Sequence, residues 1–428
     1  MKKIDKEKII LELNKHLDKF MRAMFAERLY YSKTFLQEIK SNIAYSYKVK
    51  EMFENLQENS AIEPKTLEHF ILYKNLVNVS KKEQESDYLT KTVTGNAVVS
   101  SVSSLDYFIY QCLHTIFTHN ENMINSLDLK LQYEQIKTLE TVEEVKELSV
   151  SNFIEGLLFG SHDELFGKLE NNYSIKNIKK IKDYKDFIFI AEIRNIIVHH
   201  DAKISVKFKS NMKKYKLNHE KYDFFDKNGY VSLSPDRIHW AIDTCIKFGL
   251  QLYLEFAKHF SLRAPELKKK YLLNINELCL ELILKNQSEI AESVYNVVLG
   301  DKNNSELFFL FAINKALCMK RLNREDEMKE YLNSLKWDEC KDIQYILAKH
   351  ILLNEYDKAT EYMDKVDLYV WNCGYQEWPL CLRFIKSDCF KEKYKEIYGI
   401  EFEKRIKDGT LSDEEIEEFI ECWQKKDN

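Results

Sequence analysis

The stretch "AEIRNIIVHHDAKIS", residues 191–205, decides how the middle of this chain is read. Its first nine residues are apolar at helical spacing, with Arg194, Asn195 and His199 set among them and His200 following. On a wheel of about 100° per residue, Phe189, Ile190, Ile193, Ile196 and Ile197 share an arc of roughly 120°. Glu192, Asn195 and His199 fall within roughly 60° of one another on a second arc, and Arg194 lies about 140° round from His199. This predicts a packed helix whose polar end presents an amide, a guanidinium and an imidazole. Past Asp201 the period changes. "KISVKFKS" (203–210) alternates Ile204, Val206 and Phe208 with Lys203, Lys207 and Lys209, a strand pattern. "GYVSLSP" (229–235) is the expected partner of a small β excursion between helices.

Outward from this segment the chain reads as helix. Residues 4–58 carry apolar positions at spacings of three and four, as in "IILELNKHLDKFMRAMFAERLYY". "NSAIEPKT" (59–66) reads as a break and "SKKEQESDYLTKTVTGN" (80–96) as a polar connector. "AVVSSVSSLDYFIYQCLHTIFTHN" (97–120) is a strongly apolar helix holding one acid, Asp106, which needs a partner if buried. Weaker helical patterns cover 131–148 and 150–170. A helix resumes at 234–260, with Ser234 suited to the N-cap and Pro235 to the first helical position. Only ten Gly and four Pro in 428 residues agree with helices joined by short polar connections.

Three later segments share one scheme: "LILKNQSEIAESVY" (282–295), "CMKRLNREDEMKEYL" (318–332) and "HILLNEYDKATEYM" (350–363). In each, an apolar helix ends in a polar turn and a second helix follows. The last two align at about 31 residues, near the period of helix-turn-helix arrays, although Gly is absent from the turns. "GYQEWPLCLRF" (374–384) opens a terminal cap that ends in an acidic helix.

Charge is distributed unevenly. The net charge is -5, yet residues 171–219 hold twelve Lys and Arg against four acids, a local +8. Such a basic segment in an acidic chain is a candidate contact for a polyanion; solvated helix faces are the plainer alternative. The nine Cys form no C-x-x-C pair, no stretch reaches the length of a membrane span, and the N-terminus lacks a secretory apolar core. A reducing cytoplasm is the expected location, with no membrane association.

The polar groups of the opening segment suit RNA cleavage by the 2′-OH. That reaction needs a proton acceptor and donor, which histidine supplies near neutral pH. It also needs a fixed positive charge on the crowded phosphate, which arginine supplies. No metal or other cofactor is expected. Two alternatives stay open from the residues alone: His199 and His200 as cations capping a helix C-terminus, and His199, His200 and Asp201 as part of a metal site.

"RNIIVH", Arg194 to His199, resembles the R-x(4–6)-H motif of HEPN-superfamily ribonucleases, in which a polar residue commonly follows the Arg. "VVSSVSSLDYFIYQ" is similar to that family's earlier core helix, and the likeness spans roughly residues 85–260. The resemblance implies an all-α, HEPN-like helical bundle that pairs into a homodimer and brings two Arg/His sets into one cleft. It places Arg194, Asn195 and His199 in catalysis, with Glu192 and His200 as supporting neighbours. Lys203, Lys207, Lys209, Lys213 and Lys214 are then expected to hold RNA. The division expected is 1–84 N-terminal helical region, 85–262 HEPN-like domain and 263–428 tetratricopeptide-like repeats, the last a surface for a protein partner or inhibitor. A toxin or anti-phage effector fits this arrangement. A non-catalytic adaptor or an RNA-binding regulator is the competing reading.

Overall fold

A computed structural model describes residues 5–58, 67–120, 136–137, 139–301, 305–366, 375, 378–399 and 401–402. The break expected at 59–66, part of the helix expected at 131–148 and the acidic C-terminal helix lie outside the described residues. The chain is all-α, with no strand among the described residues, and it divides into two compact units, Met1–Asn274 and Ile275–Asn428.

The first unit is organised by two long helices, α1 (Lys6–Glu58) and α2 (Leu67–Thr118). They run antiparallel, as paired side chains show: His16 meets Thr115 at 2.9 Å, Glu27 accepts from Ser104 at 2.6 Å, and Ser46 donates to Glu83 at 2.6 Å. Ile9, Leu13, Leu17, Phe20 and Met24 of α1 face Val98, Val102, Leu105, Ile109 and Leu113 of α2, all buried. Residues 80–96, expected as a connector, are helix. Several polar side chains there bond within the helix itself, which lets the backbone continue. Lys82 pairs with Glu85 and Lys91 with Asp87, both at 2.8 Å, and the Thr90, Thr92 and Thr94 hydroxyls donate to carbonyls three or four residues back.

The expected helix at 150–170 is two helices, α3 (Val142–Leu158) and α4 (His162–Asn172), because Ser161 starts a new one by accepting from the Glu164 N–H. There follow α5 (Tyr184–His199), α6 (Val206–Tyr215) and α7 (Pro235–Ser261). Ser234 caps α7 and Pro235 occupies its first turn, as expected.

Helix α6 replaces the expected strand. Ser205 accepts from the Phe208 N–H at 3.1 Å and so opens a helix in the middle of the alternating run. Phe208 and Met212, four apart, are buried, whereas Val206 is 87% exposed. Period four wins over period two because only it buries an apolar pair. Of the β excursion there remain two isolated bridges, Lys203 to Tyr230 and Phe225 to Val231, around a tight turn at Asp226–Gly229.

In the second unit the chain folds as successive helix pairs. The unit boundary falls within α8 (Pro265–Leu284), which is followed by α9 (Ser288–Gly300), α10 (Phe308–Arg321) and α11 (Glu325–Ser334). Then come α12 (Ile343–Leu352), the short α13 (Tyr356–Thr360) and α14 (Asp388–Tyr398). The three polar turns are built alike. Asn286, Asn323 and Asn354 each adopt a left-handed conformation, with φ of 59°, 58° and 60°. The next residue's N–H reaches back five residues in each case: Gln287 to Leu282, Arg324 to Met319 and Glu355 to His350, at 2.8–2.9 Å. This is the helix-ending motif for which Gly is the commoner choice, and Asn is the side chain that best tolerates it. Asn323→Ala is therefore expected to destabilise by about 1 kcal/mol in chemical denaturation, while Asn323→Gly retains stability. Equal loss in both would place the effect in the side chain and not in the backbone angle.

Candidate functional site

Helix α5 is enclosed on more than one face. Phe187 stacks on Phe248 of α7 with centroids 4.5 Å apart, and Phe189 stacks on Tyr222 at 4.0 Å. Burial continues through Ile196, and the helix then emerges, with Val198, His199 and His200 exposed. Its last turn runs beside α2: a Cβ on Gly95 would sit 3.4 Å from Ile197 Cγ2. His200 and Ala202 both return N–H bonds to the Ile196 carbonyl, and Asp201 and Ala202 take left-handed φ values of 50° and 55°. Two consecutive non-glycine residues in that region cost free energy and persist only where surrounding bonds hold them. Here the Val231 N–H donates to the Ala202 carbonyl at 2.7 Å and the Ile204 N–H to the Gly229 carbonyl at 2.9 Å. The backbone after the motif is thereby pinned.

Arg194 and Asn195 are half-buried, and Arg194 Nη1 donates to Asn195 Oδ1 at 3.1 Å. Arg194 Nε is buried without a hydrogen-bond partner, and no carboxylate pairs with this guanidinium among the described residues. A partly desolvated cation without a counter-charge is unfavourable by itself. Glu192 does not neutralise it. That carboxylate is only 7% exposed and accepts from Asn211 Nδ2 at 3.0 Å, which ties α5 to α6. His199 follows Arg194 by five residues, about 7.5 Å along the axis. The helix thus presents Arg194 and Asn195 at its half-buried shoulder and the imidazole at its exposed end.

The lysines expected to hold RNA occupy a helix and the turn before it, not a strand. Lys207, Lys209 and Lys213 are exposed on α6 and have no acidic partner among the described residues. Lys203 lies over the Tyr230 ring, 5.0 Å from its centroid. Lys214 differs from the others. It pairs with Glu164 at 3.1 Å, and that hydrogen bond holds the ammonium above its ordinary range and the carboxyl below. Beside this pair lies Asp163. Burial alone would raise its carboxyl, but donation from Lys179 and Tyr184, at 2.8 and 2.5 Å, outweighs that and holds it low.

Asp106 has the partner its apolar setting demanded: His162, on α4, at 2.6 Å, its ring edge-on to Phe187 at 5.0 Å. The need for a partner was legible in the sequence; its identity, 56 positions away, was not. Asn211 likewise carried no sequence signal, whereas Tyr230 lies in the segment expected to pair with 203–210 and does bridge to Lys203.

Among the described residues no group of three or more His, Cys, Asp and Glu can hold a metal ion, and no helix is long and apolar enough to cross a membrane. No family of known proteins, no curated protein and no solved structure matches the chain.

Proposed function

We propose that this chain is a metal-independent endoribonuclease of the HEPN kind, an effector in a toxin or anti-phage system. The observation that carries the proposal is the half-buried Arg194 guanidinium, uncompensated by any described carboxylate, on the same helix as an exposed imidazole five residues on and about 140° round. His199 takes the 2′-OH proton and returns a proton to the departing 5′ oxygen. Arg194 meets the charge that builds on the phosphorane, and Asn195, already bonded to Arg194, orients it. Lys207, Lys209 and Lys213 bind the RNA backbone by charge, without base selectivity. A homodimer would bring a second Arg/His set to the cleft, and the helix pairs of the second unit would serve a protein partner that restrains the nuclease.

Purified protein incubated with end-labelled RNA in EDTA is expected to give fragments ending in a 2′,3′-cyclic phosphate and beginning with a 5′-hydroxyl. Cleavage that requires added divalent metal, or that leaves a 5′-phosphate, would exclude this chemistry. Salt-sensitive RNA binding with no products would favour the regulator reading.

A further inference from the structure

The second unit contains a cavity of about 320 Å³ bounded by α10, α12, α13 and the turns at residues 379–386. Its lining is unusually cationic for a unit so rich in acids. Arg321, Arg383 and Lys386 line it, all exposed, and none has an acidic partner among the described residues. Lys320 adds a fourth charge from a fixed position. Its amine donates to the Ile351 and Leu352 carbonyls and to Asn354 Oδ1, at 3.4, 2.6 and 2.7 Å, so it caps α12 and cannot swing away. Burial draws that amine down to about 8; Glu325 opposes this, and Arg383 reinforces it. The one acid in the lining, Glu325, leaves the excess positive charge largely uncancelled.

The rest of the lining is the amides Asn286 and Asn323, aliphatic groups such as Leu317, Leu352 and Pro379, and the Tyr356 side chain, the last resting against Phe384 at 5.4 Å between centroids. The volume lies at the lower end of the roughly 300–1,000 Å³ of small-molecule sites, which suits a compact ligand better than an extended chain. Three cations without acidic partners among the described residues line the same cavity as a ring and its aliphatic neighbours, and Arg383 lies close enough to Tyr356 to act on it by charge. That combination asks for an anion joined to a planar apolar body. Guanidinium forks match phosphate oxygens in pairs, and the ring offers a stacking surface.

We propose that this cavity is a nucleotide-binding site, with Arg321, Arg383 and Lys386 on the phosphates and the base against Tyr356. It lies wholly in the second unit and does not depend on the ribonuclease reading of α5. A bound nucleotide would bridge α10, α12 and the 379–386 turns, and so would stabilise the unit that contains them.

Calorimetric titration of the full chain with ADP and UDP tests the proposal, with pyrophosphate and adenosine as the two halves of the ligand. One nucleotide is expected to bind saturably, one per chain, at least about tenfold more tightly than pyrophosphate or adenosine. Arg321→Gln and Arg383→Gln remove charge from exposed side chains and should each weaken binding about tenfold with an unchanged melting temperature. Absence of saturable binding by both nucleotides overturns the site. Pyrophosphate binding as tightly as the nucleotides overturns the role of Tyr356, and binding indifferent to both substitutions overturns the location.

Discussion

His199→Ala is expected to slow single-turnover RNA cleavage by about 10²–10⁴-fold, the usual contribution of a positioned proton donor and acceptor. Arg194→Ala is expected to cost about 10²–10³-fold through loss of the charge that meets the phosphorane. Arg194→Lys should not restore the rate, because an ammonium cannot present two parallel N–H groups. RNA affinity, measured by fluorescence anisotropy, should change little in His199→Ala. Stability distinguishes function from architecture here. Arg194 is half-buried without an acidic partner and with an orphaned Nε, so its removal relieves a cost. Its melting temperature should hold or rise while the rate collapses. A variant that keeps its rate, or one that loses rate only because it unfolds, would end the case for catalysis.

The second large effect concerns the core. A Cβ built on Gly249, inside α7, would lie 2.6 Å from Phe20 Cε1, 2.9 Å from Phe20 Cζ and 3.1 Å from Leu105 Cδ1. Phe20 cannot easily yield, since it is 3% exposed and stacked on Phe108 at 4.9 Å. Gly-to-Ala changes within helices ordinarily gain about 1 kcal/mol. At this position overpacking of about 1–3 kcal/mol opposes the gain and is expected to win, lowering the melting temperature by a few degrees. Gly156, in α3, supplies the contrast, for nothing lies within 4 Å of its would-be Cβ. Gly156→Ala should stabilise. If both substitutions raise the melting temperature, the close packing of α1, α2 and α7 described above is wrong.

The two segments read incorrectly from sequence share a cause. In 80–96 the side chains are polar enough to suggest a connector, but hydroxyls bonded to carbonyls one turn back and pairs such as Lys82–Glu85 let the helix continue with little apolar burial. In 203–210 the alternation of Lys with Ile, Val and Phe is real. It does not reveal that Ser205 can cap a helix and that Met212, two residues past the pattern, completes an apolar pair with Phe208. Short windows hold two periods at once, and packing selects one of them. The wheel around Arg194 shows the same boundary. It grouped Glu192 with Asn195 and His199, yet Asn211 comes over from α6 and holds that carboxylate in the interior.

Sequence alone was sufficient for the helical class, the start of α7 at Ser234 and the demand of Asp106 for a partner. Each of these depends on side chains within a turn or two of one another, or on the cost of setting a charge among apolar side chains. The tertiary structure decided that His162 answers Asp106, that Gly249 admits Phe20, and that no described acid reaches Arg194. Those facts join residues tens to hundreds of positions apart. Bringing distant groups together is governed by the burial of whole faces, and no local pattern encodes which faces meet.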